Sequence, residues 1–401
     1  MRRILSAVRR PVPPLYNRVM RFCGTVFLCA FALPAWGQSF QLHGFLTARE
    51  IYVKAQPSWI QGGAGRFDVG ASNPDDHRIV NLDVAQLGAD WTPASWLLLH
   101  ADGIARREPA GTKGNRGGLL QAYAEFHTEK FRLRGGAFWL PTSRENIDPL
   151  WTTPYTITES ALNTWIGQEV RPIGADVQFS PNFYITLGGT VFRGNDAMGT
   201  ELAARGWTFG NHLSVYDERL PKPDGSSTRP IGEDLDNRNG YSGRIRLQLP
   251  ERALIQISRI DNRAERVPRL KGETPWDTAF TVVGGTLGTN SPSTISAEWA
   301  RGSTTIGFRT GTFTLDFETG YILLSQKNAM GRWTVRYDRF STSPTREHGH
   351  AWTVAWFRLP NANLRWGAEY ARVKGDRPSL SPAFDPNTGG TTITVELRYA
   401  F

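Results

Sequence analysis

Residues 391–401 read TTITVELRYAF. Taken with a period of two, Ile393, Val395, Leu397, Tyr399 and Phe401 fall on one face, and Thr392, Thr394, Glu396 and Arg398 on the other. Such alternation marks a strand with one apolar and one polar side. The length suits the ~9–11 residues that a tilted strand needs to cross a bilayer. A soluble sandwich would bury the same apolar face, so the fold is decided by whether the rest of the chain repeats the pattern.

It does. Working outward, the chain divides into sixteen strand-like segments, among them Phe40–Lys54, Arg78–Trp91, Phe131–Leu140, Tyr241–Leu249, Phe313–Leu324 and Leu364–Val373. Short turns such as 92–95, 128–130, 180–182 and 250–252 alternate with longer connections, above all Pro141–Ile173 and residues 194–240. Sorting of connections by end is the mark of an outer-membrane barrel, with short turns facing the cell interior and long loops facing out. A Greek-key sandwich has no reason to sort them. The pattern predicts an all-β, transmembrane, up-and-down antiparallel β-barrel of sixteen strands spanning residues 38–401. Closure is obligatory in lipid, where an open sheet edge leaves backbone groups unpaired.

Several strands repeat the two-faced pattern. Phe131, Leu133, Gly135, Ala137 and Trp139 oppose Arg132 and Arg134. Tyr241, Gly243, Ile245, Leu247 and Leu249 oppose Arg244 and Arg246. Phe313, Leu315 and Phe317 oppose Asp316 and Glu318, and Leu364, Trp366, Ala368 and Tyr370 oppose Arg365 and Glu369. An arginine facing lipid at the midplane costs ~2–4 kcal/mol, so the charged faces are assigned to the interior. Trp91, Trp96, Trp139, Tyr184, Tyr370 and Tyr399 lie near strand ends, where aromatic girdles sit.

The first 37 residues read as an export signal. Arg2, Arg3, Arg9, Arg10, Arg18 and Arg21 form a positive region, Phe22–Leu33 is a short apolar core, and Pro34-Ala35-Trp36-Gly37 precedes a cleavage expected before Gln38. Met20 offers an alternative start. Both cysteines, Cys23 and Cys29, fall inside this segment, so thiol chemistry is not expected of the mature chain. Removing the six arginines takes the formal charge from +9 to +3, which withdraws the argument for a nucleic-acid partner. The mean hydropathy of −0.37 is low for a membrane protein, as expected when every second residue faces water.

Candidate functional residues follow from this layout. The segment 141–173 is expected to fold into the lumen, because Trp151 and Trp165 favour burial. Arg144, Glu145, Asp148, Glu159, Glu169 and Arg171 would then set the size and charge of a constriction. The pore wall is assigned Arg132, Arg134, Arg244, Arg246, Arg332, Arg336, Arg365 and Arg398, against Asp83, Glu125, Asp176, Asp316, Glu318, Asp338, Glu369 and Glu396. Rings of one sign make ion-selective pores; two balanced lists imply a salt-bridged wall. No cofactor, catalytic residue or metal site is expected. His348 and His350 are the only clustered histidines, and Arg238 spoils the calcium-loop spacing of residues 232–240.

The stretch FRLRGGAFWLPTSREN, residues 131–146, resembles a strand and loop start of Gram-negative porins of the phosphate-selective type. Residues 333–340, WTVRYDRF, and the closing LRYAF are similar to late strands of the same superfamily. The resemblance implies a sixteen-stranded, commonly trimeric passive channel. The terminal aromatic resembles the signal read by the barrel-assembly machinery. No lysine-rich ladder of the kind phosphate selectivity uses is present. The expectation is an outer-membrane porin for passive diffusion of small hydrophilic solutes, in contact with lipid and lipopolysaccharide. The alternatives are a non-conducting barrel serving adhesion or envelope integrity, or a barrel enzyme such as a lipase.

Overall fold

A computed structural model describes residues 39–401 except 74, 109–110, 146–149, 151, 251, 267–274, 290, 309 and 380–384. The expected export signal, Asp148 and Trp151 therefore lie outside the described residues. The strands are β1 (Ser39–Ala55), β2 (Arg78–Ala94), β3 (Leu97–Arg107), β4 (Gly117–His127), β5 (Phe131–Ala137), β6 (Ile173–Phe179), β7 (Ile185–Arg193), β8 (Asn239–Leu249), β9 (Ala253–Asp261), β10 (Trp276–Leu287), β11 (Ser293–Phe308), β12 (Gly311–Asn328), β13 (Gly331–Ser343), β14 (Glu347–Arg358), β15 (Leu364–Asp376) and β16 (Gly390–Ala400). Each pairs antiparallel with its chain neighbours, and β1 pairs with β16, so the sheet closes on itself. Sixteen strands in sequence order is the layout that the alternation predicts.

The outer surface is apolar. On β16, Ile393, Val395, Leu397 and Tyr399 are all about half exposed, while Thr392, Thr394 and Glu396 are buried on the inner side. Leu46, Leu133, Ile245, Ile257, Ile322, Val354 and Trp366 carry the same exposed apolar face round the barrel. An exposed apolar belt of this extent has no stable place in water, and hydrocarbon satisfies it.

The long-loop end differs from the sequence reading in height and in filling. Gly311 and most of residues 341–348, which fall in expected loops between strands, continue the ladders. β11 and β12 stay paired up to Phe308 opposite Gly311, and β13 and β14 up to Thr342 opposite Glu347. Inside this end lie the connections 138–172 and 194–238. They include helix α1 (Ala161–Glu169), whose every residue is buried, and the short helix α2 (Thr200–Arg205). The Ser160 hydroxyl caps α1 by accepting a 3.1 Å bond from the amide of Asn163. Trp165 of α1 packs edge-on against Phe280 and Phe317 of the wall, with ring centroids 4.9 and 5.1 Å apart, and against Trp207 at 5.8 Å.

That packing reverses one predicted face. On β12, Leu315 is 0% and Phe317 2% exposed; both point inward, and Asp316 and Glu318 point outward. Asp83 also faces out, with Arg107 beside it at 3.8 Å. The rule that charge faces the lumen holds where the lumen is wet. Where loops fill it, the inner positions become core, and the charges of the alternate positions turn outward. A second correction concerns Ala137 and Trp139, which are buried. β5 ends at Ala137 after Gly136, whose φ is +139° and whose position lets its backbone approach the carbonyl of Ala122 too closely for a Cβ. The chain bends inward there, and Trp139 leaves the girdle for the interior.

Candidate functional site: a charged vestibule beneath an anchored plug

The lumen has two storeys. Toward the short-turn end, the inner wall is polar and partly open. Glu125 of β4 accepts a 2.7 Å bond from Arg134 and lies 3.8 Å from Arg132, both on β5. Asp176 of β6 takes both Nη groups of Arg244, at 2.6 and 2.8 Å, the bidentate geometry that makes such pairs strong. Arg246 donates to the side-chain oxygen of Gln256, and Arg332 to the hydroxyl of Ser325. At the closure seam, Glu396 gathers three arginines: Arg365 at 2.6 Å, Arg49 at 2.9 Å and Arg398 at 3.5 Å. The wall arginines predicted from alternation thus do point inward, each near an acceptor. Arg49, which the reading missed, is the alternating inner residue of β1 that register sets opposite Glu396.

Above this vestibule the loop 138–172 is bolted to the wall. Arg336 of β13 is fully buried, and its guanidinium is shared among six acceptors, the Thr353 hydroxyl at 3.5 Å being the longest. Nη1 reaches Glu145 at 3.0 Å, the Thr156 hydroxyl at 3.0 Å and the Thr158 carbonyl at 2.8 Å. Nη2 reaches the Glu159 carbonyl at 2.9 Å, and Nε reaches Asp338 at 2.8 Å. Asp338 in turn accepts from the amide of Ala161 at the start of α1, where the helix dipole favours an anion. Glu369 accepts from the amides of Ile157 and Thr158, and Glu298 from the Ser143 hydroxyl and the Arg144 amide.

The predicted constriction residues divide accordingly. Glu145 is buried and accepts from the Ser160 amide as well as from Arg336. Burial pushes its carboxyl up to about 7, against the opposing pull of Arg336 and Ser160. Glu169 is held by the Trp165 indole N–H at 2.6 Å and by the amides of Gly199 and Glu201. Burial, then the neighbouring Glu201, raises its carboxyl as well. Arg171 is fully buried, donates to the carbonyls of Gly167 and Leu120, and lies 3.9 Å over the ring of Trp139. Glu145, Glu169 and Arg171 are therefore plug fasteners rather than open pore lining. The Glu159 side chain is buried as well.

The second long connection is anchored through Arg66, which comes from the connection between β1 and β2. Arg66 binds Glu347 at 2.5 Å and the Trp207 carbonyl at 2.8 Å, and the Trp207 amide donates to Glu347. Sequence reasoning missed Glu298, Glu347, Arg66 and Asn211. Glu298 alone left a signal, as the one acid among small and apolar residues in TISAEWA, residues 294–300.

Between plug and wall, along β1–β4, run two small cavities of about 30 and 20 Å³ that share Val84, Ile104 and Asn211 as lining. Each has room for one or two waters. Asn211 stands between them, accepting from Arg49 at 3.3 Å and donating to the Ile157 carbonyl at 2.6 Å. Arg49, Arg398 and Glu159 line the first cavity, and Asp68, Arg106 and Glu108 the second.

The same barrel geometry recurs in solved structures. An anion-selective porin from Comamonas acidovorans matches with a TM-score of 0.57 at 11% identity, covering 91% of this chain and 100% of that one. The fold is that of a porin. The outer membrane channel DcaP of Acinetobacter baumannii matches with a TM-score of 0.57 at 11% identity over 91% of this chain and 98% of its own. OmpT of Vibrio cholerae, an outer membrane protein in a trimer form, matches with 0.55 at 10% identity over 91% and 99%. No protein-family model and no curated protein sequence matches this chain. At such identities the likeness concerns the backbone fold alone.

Proposed function

We propose that this chain is an outer-membrane porin that passes small hydrophilic solutes and ions. One observation carries the reading: a closed, apolar-belted barrel has a charged inner wall and water-sized cavities between that wall and an anchored plug. The proposed path follows these cavities along β1–β4, past Arg398, Arg49 and Asn211. With room for only one or two waters at each step, its unit conductance in this state is small. Planar-bilayer recording of the purified protein tests the reading, with discrete openings expected and salt gradients reporting ion preference. A flat trace at every voltage and pH refutes it and favours the non-conducting barrel. That second reading has its own support in the dry aromatic packing of Trp165, Trp207, Phe280 and Phe317. Roles as a barrel lipase or other enzyme have no supporting constellation in the wall or plug residues described.

The finer likeness to phosphate-selective porins rests on residues 131–146, 333–340 and the closing strand, and is an extension of the same proposal. Contact with lipid and lipopolysaccharide is supported by the apolar belt. Delivery through the barrel-assembly machinery is supported by the two-faced strand ending at Phe401. A homotrimer is supported by a groove of about 640 Å³ on the outer wall, where Trp299, Glu318, Gly320 and Arg339 line a depression across β10–β13. Trp299 donates to Glu318 there at 3.0 Å, and such polar groups suit a protein neighbour better than acyl chains.

A further inference from the structure

At the short-turn end of the same wall lies a group of side chains that the plug does not use. Register sets His43 of β1 opposite Gly88 of β2, Asp90 of β2 opposite His100 of β3, and His100 opposite Tyr123 of β4. All point into the lumen. His100 is buried; the side chains of His43 and Asp90 are about a quarter exposed. His100 Nδ1 lies 2.6 Å from Asp90 Oδ1, and His43 Nδ1 lies 3.7 Å from Asp90 Oδ2. One nitrogen of each imidazole and one Asp90 oxygen lie within 4.8 Å of one another. Gly88 makes the room: a Cβ there would meet His43 Nε2 at 2.5 Å.

The far side of His100 is equally ordered. Its Nε2 faces Asp102 Oδ1 at 3.5 Å, and the other oxygen of Asp102 accepts a 2.8 Å bond from Gln86. The Tyr123 ring stacks on the imidazole with centroids 4.7 Å apart. A histidine with one nitrogen turned to a shared centre and the other facing an anchored carboxylate, here at 3.5 Å and not yet hydrogen-bonded, has the layout of a metal-ligating histidine whose outer carboxylate fixes tautomer and ring direction once it closes on the ring.

We infer that His43, Asp90 and His100 bind a divalent transition-metal ion of the zinc class at the short-turn mouth of the barrel. Two imidazoles and one carboxylate suit such an ion, whereas calcium and magnesium take oxygen sets. Bonds of about 2.0–2.2 Å to a tetrahedral ion put neighbouring ligand atoms about 3.3 Å apart. The two observed separations, 2.6 Å to Oδ1 and 3.7 Å to Oδ2 of Asp90, bracket that value, and a turn of the carboxylate that brings one oxygen between the two imidazoles makes the set. The His43–Asp90 spacing is too long for a hydrogen bond, so apart from an ion pair with Asp90 and stacking on His100 at 5.9 Å the His43 nitrogens are open to a ligand. Water from the vestibule completes the coordination, and the ion reaches the site without passing the plug. Binding here does not depend on whether the barrel conducts.

The test is calorimetric titration of Zn²⁺ into chelator-stripped protein, purified in detergent without a histidine tag. Cu²⁺ electron paramagnetic resonance then counts the nitrogens. One ion per chain with two-nitrogen coordination is expected. His43→Gln leaves one nitrogen, and Asp102→Asn, which keeps all three ligands, weakens binding about 10–100-fold. Heat-dependent gel mobility shows that each variant still folds as a barrel. If His100→Ala does not fold, His43→Gln, at a partly exposed position, decides the matter alone. Absence of stoichiometric binding overturns the site. So does binding that is unchanged in His43→Gln and is lost instead when His348 and His350 are replaced by alanine.

Discussion

Replacing Arg336 with methionine removes the cation that ties loop 138–172 to β13 while keeping most of the side-chain volume. Glu145 and Asp338 are then left buried without their shared partner, and the carbonyls of Thr158 and Glu159 lose a donor. Removing one partner of a buried ion pair costs about 3–5 kcal/mol. Every bond lost joins wall to plug or flanks that joint, and the ladders of β12–β13 and β13–β14 use only backbone groups. The cost therefore falls on docking of the loop and leaves the barrel standing. At about 1.4 kcal/mol per factor of ten, the docked-to-undocked ratio falls roughly a hundred- to several-thousand-fold. In planar bilayers the variant is expected to show larger and more frequent openings than the wild type, with unchanged heat-dependent gel mobility. A folded Arg336→Met barrel with wild-type conductance would refute the idea that this lock closes the path.

Acidity acts on the same joint. Glu145 in the docked loop titrates at about 7, above its ordinary 4.5, so the docked state holds the proton more tightly. Docking is most favoured below pH 4.5 and loses that contribution as pH rises through about 7. Conductance is expected to rise between pH 5 and 8, and Glu145→Gln, a mimic of the protonated carboxyl, should flatten the curve and stay closed; an unaltered profile in that variant would assign the effect elsewhere. Trp165→Ala empties the centre of the aromatic cluster and costs about 3–5 kcal/mol; faster hydrogen exchange across 152–172, with the strands still protected, is the expected readout. Glu396→Gln takes the common charge from Arg49, Arg365 and Arg398 at the closure seam. The barrel should unfold at a lower temperature by gel shift, for a loss of about 3–5 kcal/mol. Val395→Arg puts a cation on the outer face of the last strand and should cost ~2–4 kcal/mol if that face meets hydrocarbon; equal stability would place the belt in water.

Local pattern carried the barrel. The side-chain period of a strand is two, so TTITVELRYAF declares its faces without reference to any other part of the chain, and Glu396 and Arg398 turn inward as the alternation requires. The count and pairing order follow from the same rule repeated, with short turns joining neighbours. The inward arginines of β5, β8 and β15 were legible for this reason. β12 was not: with apolar residues at alternate positions and acids between them, FTLDFETG, residues 313–320, reads equally well with either face out.

What decided it was contact with segments far away in the chain. Leu315 and Phe317 are inner residues because the loop 138–172 brings Trp165 to that wall, and Asp316 and Glu318 face out as a consequence. The shared hold of Arg336 on Glu145, Thr158 and Glu159 joins residues more than 170 positions apart, and periodicity carries no information at that range. The sequence alone thus determined a closed, two-faced ribbon of sixteen strands, because alternation is a property of adjacent residues. Only the tertiary structure decided how much of the enclosed space is water, because that depends on which loops enter the lumen and which buried charges meet there.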